Sequence, residues 1–358
     1  MIAVVKVGTS SLTDDDGNID ERAVSKICSE VVALRSEGHH LVLVSSGAIA
    51  AGLPALGMSA RDRPRDSRTL QAVSAVGQTR LMAVYQRILD DIDGGVVPGQ
   101  VLLAPTDFVN RQQYLHARST LNRLLELGVV PIVNENDAVA DDEIRFGDND
   151  RIAALVAQLI GAEVLVLLTD AAGVFTADPR FNATASLIEE IVEVDQQLEQ
   201  AASGSGSNRG SGGMATKLAA AKMAAWSGVR TVIAAAERPG VIREAIEDEA
   251  GVGTIVRPRD VKIGARKIWI GFAVGSAGTI TVDDGARAAL VDRGSSLLAA
   301  GIVGVAGDFD ADDAVEVATA DGVVFAKGLV KSSGAVLRAG DHVGVVIHRD
   351  DLVVLPSS

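Results

Sequence analysis

The chain has one cysteine, Cys28, in 358 residues, so no intrachain disulfide can form, as suits a reducing cytoplasm. Aromatic residues make up only 3%, and no apolar run approaches the roughly 18 residues of a membrane span. A core of Ala, Val, Leu and Ile is expected, in a soluble protein. The opening stretch MIAVVKVGTS has neither the charged region nor the apolar length of a secretory signal. Positive charge is scarce as well: the formal net charge is −14, which argues against a general nucleic-acid footprint. Such a chain repels anions at long range, so any anion site must be built locally from Lys, Arg and backbone N–H groups. The P-loop pattern GxxxxGK[ST] occurs nowhere. Gly210 to Ala215 does fit G-x-G-x-x-A, but it follows a loop and a helical stretch instead of a strand, which argues against a dinucleotide site.

The length suggests two domains, each able to bury its own core. Through the first of them, helical stretches end at a glycine and a near-continuous apolar strand follows. A first strand, Ile2 to Val7, is followed by Gly8-Thr9-Ser10. The helical period of Ile19 to Glu37 stops at Gly38 before the strand Leu41 to Val44, and that of Arg111 to Leu127 stops at Gly128 before Val129 to Val133. Asp150 to Ile160 stops at Gly161 before Val164 to Leu168, and Thr216 to Ser227 stops at Gly228 before Thr231 to Ala234. This alternation predicts an α/β fold, a mostly parallel open sheet covered by helices on both faces. Right-handed crossovers then bring the polar strand ends to one edge, so Lys6, Ser46, Asn134 and Thr169 should converge.

The densest of those ends is Asn134 to Asp150, NENDAVADDEIRFGDND. Its centre, Asp141-Asp142-Glu143, reads as a solvated charge run. Asn134, Asp137, Asn149 and Asp150 bracket that run and read as a site for a small polar ligand, with Gly147 permitting a tight approach. The segment SGSGSNRGSGG, Ser203 to Gly213, would pass for a linker on composition. The strongly helix-forming Met214-Ala215-Thr216-Lys217 run after it turns the glycines into backbone donors at a helix N-terminus, a ready anion site. Lys217 lies in the first turn, where the helix dipole disfavours a cation unless an anion is bound beside it.

Composition shifts near Arg257-Pro258-Arg259, which places domain boundaries at 1–258 and 259–358. Short strand-like runs follow at Ile268 to Ile270, Thr279 to Val282, Ala314 to Ala318, Val323 to Ala326 and Val343 to Ile347, predicting a small mostly-β domain.

Six ordered motifs, VVKVGTS, VSSGAIAAG, IVNENDAVA, FGDND, LLTDAAGVFTADPR and GSGGMATKLAAAKMA, together resemble the glutamate 5-kinases of the amino-acid-kinase fold. The C-terminal part, with RGSSLLAAGIVGVAG, resembles a PUA domain. The resemblance implies MgATP-dependent phosphorylation of the γ-carboxylate of L-glutamate to γ-glutamyl phosphate, the first step of proline biosynthesis. It assigns Lys6 and Lys217 to the phosphates and transition state, with Asp150 holding both lysines. It assigns Ser46, Asn134, Asp137 and Asn149 to glutamate, and Lys6, Thr169, Asp170, Ser211, Gly212, Gly213, Met214, Ala215, Thr216 and Lys217 to the nucleotide. No protein side chain is assigned as a resident metal ligand. It further implies feedback by proline, a homo-oligomer and a functional link to glutamate-5-semialdehyde dehydrogenase.

The chemistry is consistent with this without borrowing. A glutamate side chain, pKa about 4.3, is ionised at neutral pH, so a carboxylate acceptor requires no general base. None of the motifs offers a histidine. Two competing readings are another acceptor kinase of the same fold and an RNA-binding regulator with a vestigial kinase site. Intact lysines and the acidic balance oppose the second.

Overall fold

The five strands expected in the first part of the chain, and a sixth that was not, β3, lie side by side and point the same way. These are β1 (Ile2–Val7), β2 (His40–Ser45), β3 (Pro98–Leu103), β4 (Val130–Glu135), β5 (Val164–Thr169) and β7 (Arg230–Ala235). The short β6 (Glu190–Ile191) and β8 (Thr254–Val256) complete a sheet of order β3-β4-β2-β1-β5-β7-β8-β6, in which β8 runs antiparallel to β7. The structure is a computed structural model and describes residues 1–108, 110–139, 149–182, 184–203, 213–260, 262–341 and 343–355. Met1–Lys262 and Ile263–Ser358 form separate compact units.

The interior strands carry almost no polar side chain before their last residues because helices cover both faces. Val4 and Val5 of β1, Val42 of β2 and Val164 to Leu168 of β5 are fully buried. The helices of this unit are α1 (Glu21–Ser36), α2 (Ala48–Gly52), α3 (Ser67–Ile92), α4 (Arg111–Glu126), α5 (Asn149–Ile160), α6 (Gln196–Ser203), α7 (Met214–Trp226) and α8 (Val241–Glu247). Asp20 caps α1 and Asn110 caps α4, each side chain accepting first-turn backbone N–H groups. Gly38, Gly128, Gly161 and Gly228 follow α1, α4, α5 and α7 at φ between 67 and 88°, the left-handed conformation that ends a helix.

From β1 the chain moves to β2 on one side, then fills β4 and β3 beyond it, and returns to place β5 and β7 on the other side. The order therefore reverses at β1, and the crevice beyond the carboxyl ends is expected there. Lys6 faces that crevice from the centre, flanked in register by Val44 and Leu167.

Two tight contacts fix the β2 side. A Cβ on Gly77 of α3 would lie 1.7 Å from the Ala48 carbonyl oxygen, and one on Gly52 of α2 would lie 2.1 Å from that of Val73. The two helices therefore pack backbone against backbone, and α2 is held where β2 delivers Ser46. Gly47, at φ 100°, makes the turn between them.

In the second unit, β9 (Gly278–Val282), β10 (Leu297–Leu298), β11 (Ile302–Gly307), β12 (Ala314–Ala318), β13 (Val324–Val330) and β14 (Val345–Val354) form a sheet of order β10-β14-β13-β12-β9-β11. Its core gathers Ile280, Leu290, Val315, Phe325, Val330 and Ile347. Two strand expectations need correction. Ile268 to Ile270 is helical, spanning the end of a short α-helix (Ala265–Ile268) and a π-helical turn (Trp269–Ala273). Ile268 and Ile270 are buried and Trp269 between them is half-buried, and three apolar residues in a row do not distinguish the two periods. The last strand begins at Val345, with Val343 92% exposed, and runs on to Val354.

Candidate active site

Three charged side chains from three elements meet at the centre of the crevice. Asp150 lies in the first turn of α5, a helix buried nearly all round, so its carboxylate is 1% exposed. Its Oδ1 pairs with Lys6 Nζ at 2.7 Å, and its Oδ2 with Lys217 Nζ at 3.2 Å. Both lysines are 4% exposed. Thr216 Oγ1 also lies 2.8 Å from Asp150 Oδ2 and 2.8 Å from the Gly213 carbonyl, so the hydroxyl proton is shared between them.

A buried charge is costly unless paired, so this grouping has a defined electrostatic sense. Burial works to raise the Asp150 carboxyl, but the Lys6 and Lys217 ammoniums outweigh it and hold it at about 2. Burial lowers Lys217 from the ordinary lysine value, with Asp150 opposing and Lys6 assisting that shift. Asp150 thus stays ionised at every physiological pH, one carboxylate facing two lysines. The excess cation at the mouth of a buried cluster calls for an anion.

On the β2 and β4 side the strand ends form an amide network. Asn149 Nδ2 donates to Asn134 Oδ1 at 2.9 Å and to Ser46 Oγ at 3.2 Å. The Glu135 backbone N–H donates to Asn134 Oδ1 and to Asn149 Oδ1. Asn134 Nδ2 reaches Gln78 Oε1 at 3.5 Å, and Gln78 in turn accepts from Gln100 at 3.1 Å. Asp137, in a single 3-10 turn just beyond β4, accepts from the Ser74 hydroxyl at 2.5 Å through Oδ2. Burial raises its carboxyl, while the Ser74 hydrogen bond and the Arg63 charge oppose that rise.

On the β5 side Thr169 donates to Asp170 Oδ1 at 3.0 Å. Both line a cavity of about 380 Å3, together with Gly173, Phe175, Gly213 and Met214. The loop after β5 is fixed by Thr254 of β8, whose hydroxyl accepts from Val174 N and donates to the Ile188 carbonyl. Gly213 stands as the N-cap of α7 in extended conformation with no side chain of its own, and the first-turn amides of Met214 and Ala215 lack intrahelical acceptors. That end of α7 is a set of backbone donors beside two lysines.

The residues read from sequence therefore fall into three adjoining groups. Lys6, Lys217, Asp150 and Thr216 form the centre. Ser46, Asn134, Asn149 and Asp137 form one flank. Thr169, Asp170, Gly213 and Met214 form the other, with Ala215 in the first turn of α7. Ser211 and Gly212 lie outside the described residues, as do Asp141 to Gly147. Ser74 and Gln78 were not anticipated. Their signal was faint: two polar residues one helical turn apart on the stripe where α3 otherwise buries Leu70, Val73, Leu81 and Tyr85.

Residues 1–235 match the amino acid kinase family and residues 278–351 match the PUA domain. The glutamate 5-kinase of Pelobacter propionicus is 43% identical, over 98% of this chain and 97% of its own length. That of Polaromonas naphthalenivorans is 45% identical, over 94% of this chain and 87% of its own. In fold, the carbamate kinase from Giardia lamblia bound to AMP-PNP superposes with a TM-score of 0.51 at 17% identity, over 72% of this chain and 98% of that one.

Proposed function

The chain belongs to the amino acid kinase family, and from that premise we propose that it transfers the γ-phosphoryl group of ATP to the γ-carboxylate of L-glutamate, the first step of proline biosynthesis. The observation that carries this reading is the Lys6–Asp150–Lys217 cluster, with its excess positive charge, at the point where the strand order reverses. It stands between a flank of amides and a carboxylate suited to a zwitterionic amino acid and a cavity that ends at a helix N-terminus.

Phosphoryl transfer requires in-line positioning and compensation of charge on the oxygens being transferred. Lys6 and Lys217 supply that compensation, and Asp150 holds both ammoniums in place. Because each of its oxygens is ion-paired with one of them, Asp150 serves as an organiser and not as a nucleophile. The acceptor arrives already ionised, so no residue has to remove a proton. Asp137 pairs with the α-ammonium of glutamate, and Ser46, Asn134 and Asn149 hold its carboxylates. Thr169, Asp170 and the start of α7, with Ser211 and Gly212 before it, take the nucleotide.

ATP is bound as its Mg2+ complex in this reading. Among the described residues no group of three or more His, Cys, Asp or Glu is arranged to hold a metal; the Mg2+ of a nucleotide is carried mainly on phosphate oxygens. Two carboxylates among the described residues line the cavity; Asp178 is paired with Arg180, and Asp170 is the one that would help hold the ion, which would neutralise charge on the phosphate oxygens.

The chemistry is assigned to residues 1–258, and residues 259–358 are a companion PUA-like domain. Among the described residues no helix is long and apolar enough to cross a membrane, and we place the protein in the cytoplasm. Proline, with an amino group and an α-carboxylate like those of glutamate, is proposed as a feedback inhibitor that uses Asp137. A homo-oligomer is proposed on the family likeness. The product is a reactive acyl phosphate, and a glutamate-5-semialdehyde dehydrogenase is the proposed consumer.

The test is ADP release with glutamate against a panel of N-acetylglutamate, aspartate, carbamate and UMP. Turnover with glutamate alone is expected. N-acetylglutamate lacks the α-ammonium, so it should fail specifically through Asp137. Turnover with another acceptor and none with glutamate would replace the reading by a different kinase of the same fold.

A further inference from the structure

We infer that Ser74 is a positioning residue of the acceptor subsite, orienting the Asp137 carboxylate for the α-ammonium of the amino acid. The inference rests on the assignment of Asp137 to that ammonium in the proposed function. It starts from an oddity in α3. This helix buries an apolar stripe, yet Ser74, 1% exposed, and Gln78 lie in the middle of that stripe. A serine inside a helix commonly bonds back to its own helix's carbonyl four residues earlier. Ser74 instead donates out of the helix to Asp137 Oδ2, at 2.5 Å. That distance is at the short end of the hydroxyl–oxygen range, where hydroxyls donating to carboxylates fall.

The contact does two things. First, it ties to α3 the rotamer of a carboxylate that sits on a turn of three residues outside the regular helices and strands. Ser74 engages Oδ2, so the ammonium is directed to Oδ1. Second, a hydrogen bond donated to a carboxylate favours its ionised form, and only the ionised form attracts an ammonium. Burial acts the other way on Asp137, and among the described residues the charge of Arg63, ahead of α3, joins Ser74 in opposing it.

The placement of Ser74 is itself rigid. One turn further along α3, Gly77 lies against the Ala48 carbonyl of α2, so the helix cannot slide without a backbone clash. Gln78 beside it touches Asn134. The same face of α3 therefore sets the register of the carboxylate at one end of the subsite and the amide at the other.

The experiment uses the full chain and the variants Ser74→Ala, Ser74→Thr and Asp137→Asn. KM for glutamate, KM for ATP and the pH profile of kcat/KM for glutamate are measured for each. Losing one hydrogen bond to a charged group predicts a rise in glutamate KM of roughly tenfold in Ser74→Ala, with ATP KM unchanged. Asp137 then holds its proton to a higher pH, so the acidic limb of the profile moves up. Ser74→Thr keeps the hydroxyl and should restore both, and in the Asp137→Asn background the Ser74→Ala change should have no further effect. A residue that only fills space would weaken folding without moving the limb. If the alanine variant does not fold, Ser74→Cys keeps the size with a weaker donor and should show a smaller shift in the same directions. Wild-type KM and limb in Ser74→Ala or Ser74→Cys, with glutamate KM raised in Asp137→Asn, would overturn the role of Ser74 and leave that of Asp137 standing. Wild-type glutamate KM in Asp137→Asn would overturn the assignment of Asp137 itself.

Discussion

Lys6 and Lys217, from opposite ends of the catalytic unit, share one carboxylate and divide its oxygens: Lys6 pairs with Oδ1 of Asp150 at 2.7 Å and Lys217 with Oδ2 at 3.2 Å. Each ammonium therefore depends on the other for the geometry of their common anchor, and the pair acts as one device.

Replacing either lysine by methionine keeps the length of the side chain and removes its charge. Lys217→Met should lower kcat by about 10²–10³, the usual effect of losing one donor to the transition state, with the fold retained. Lys6→Met should behave alike. The double variant should lose much less than the product of the two, because the residues work as a unit. Steady-state kcat with circular dichroism checks this, and near-normal turnover in either single variant would remove that lysine from the chemistry.

Asp137→Ala should raise the KM for glutamate by roughly tenfold to a hundredfold and leave that for ATP nearly unchanged. Inhibition by proline should weaken in the same variant. Equal effects on both substrates would mean that Asp137 supports folding of the strand end and not the amino acid.

Asp150 also links pH to stability. Its carboxyl is held at about 2 in the folded chain against an ordinary 3.8, so the unfolded chain binds the proton more tightly. The sign follows: the contribution, ~2 kcal/mol, is complete above the unfolded value and is lost as pH falls from about 4 towards 2. Thermal unfolding from pH 5 to 2 should accordingly fall less steeply in Asp150→Asn than in the wild type. Parallel curves would show that Asp150 gains nothing from its two lysines on folding.

Gly77→Ala tests the packing under the acceptor flank. The new methyl would meet the Ala48 carbonyl, backbone that cannot rotate away, so α2 must shift. We expect destabilisation of about 1–3 kcal/mol and, because α2 follows Ser46 directly, a higher glutamate KM. A stability loss with unchanged KM would separate the α2 contact from the site.

Much of this arrangement was legible in the sequence because a parallel sheet ties function to position. An apolar strand that stops at a lysine, serine or asparagine puts that residue on the ligand edge, and Lys6, Ser46, Asn134 and Thr169 follow that rule. Lys217 was marked by a local conflict, a cation at a helix start, and Asp150 by its place among the polar residues that bracket the Asp141-Asp142-Glu143 run. Ser74 escaped notice because a serine on an apolar stripe looks like any small core residue until its partner, on a separate strand end, is brought to it by the fold. The Ile268 to Ile270 helix escaped for another reason: three apolar residues are too few to carry a period, and burial on a helix or in a strand requires the same composition.

The central claim, that a carboxylate receives the phosphoryl group, is tested most directly by trapping the product. An acyl phosphate reacts with hydroxylamine, so turnover with MgATP, glutamate and hydroxylamine should yield γ-glutamyl hydroxamate in step with ADP, and Lys217→Met should lower both together. ADP release without hydroxamate, or hydroxamate formation that survives loss of both lysines, would contradict the account.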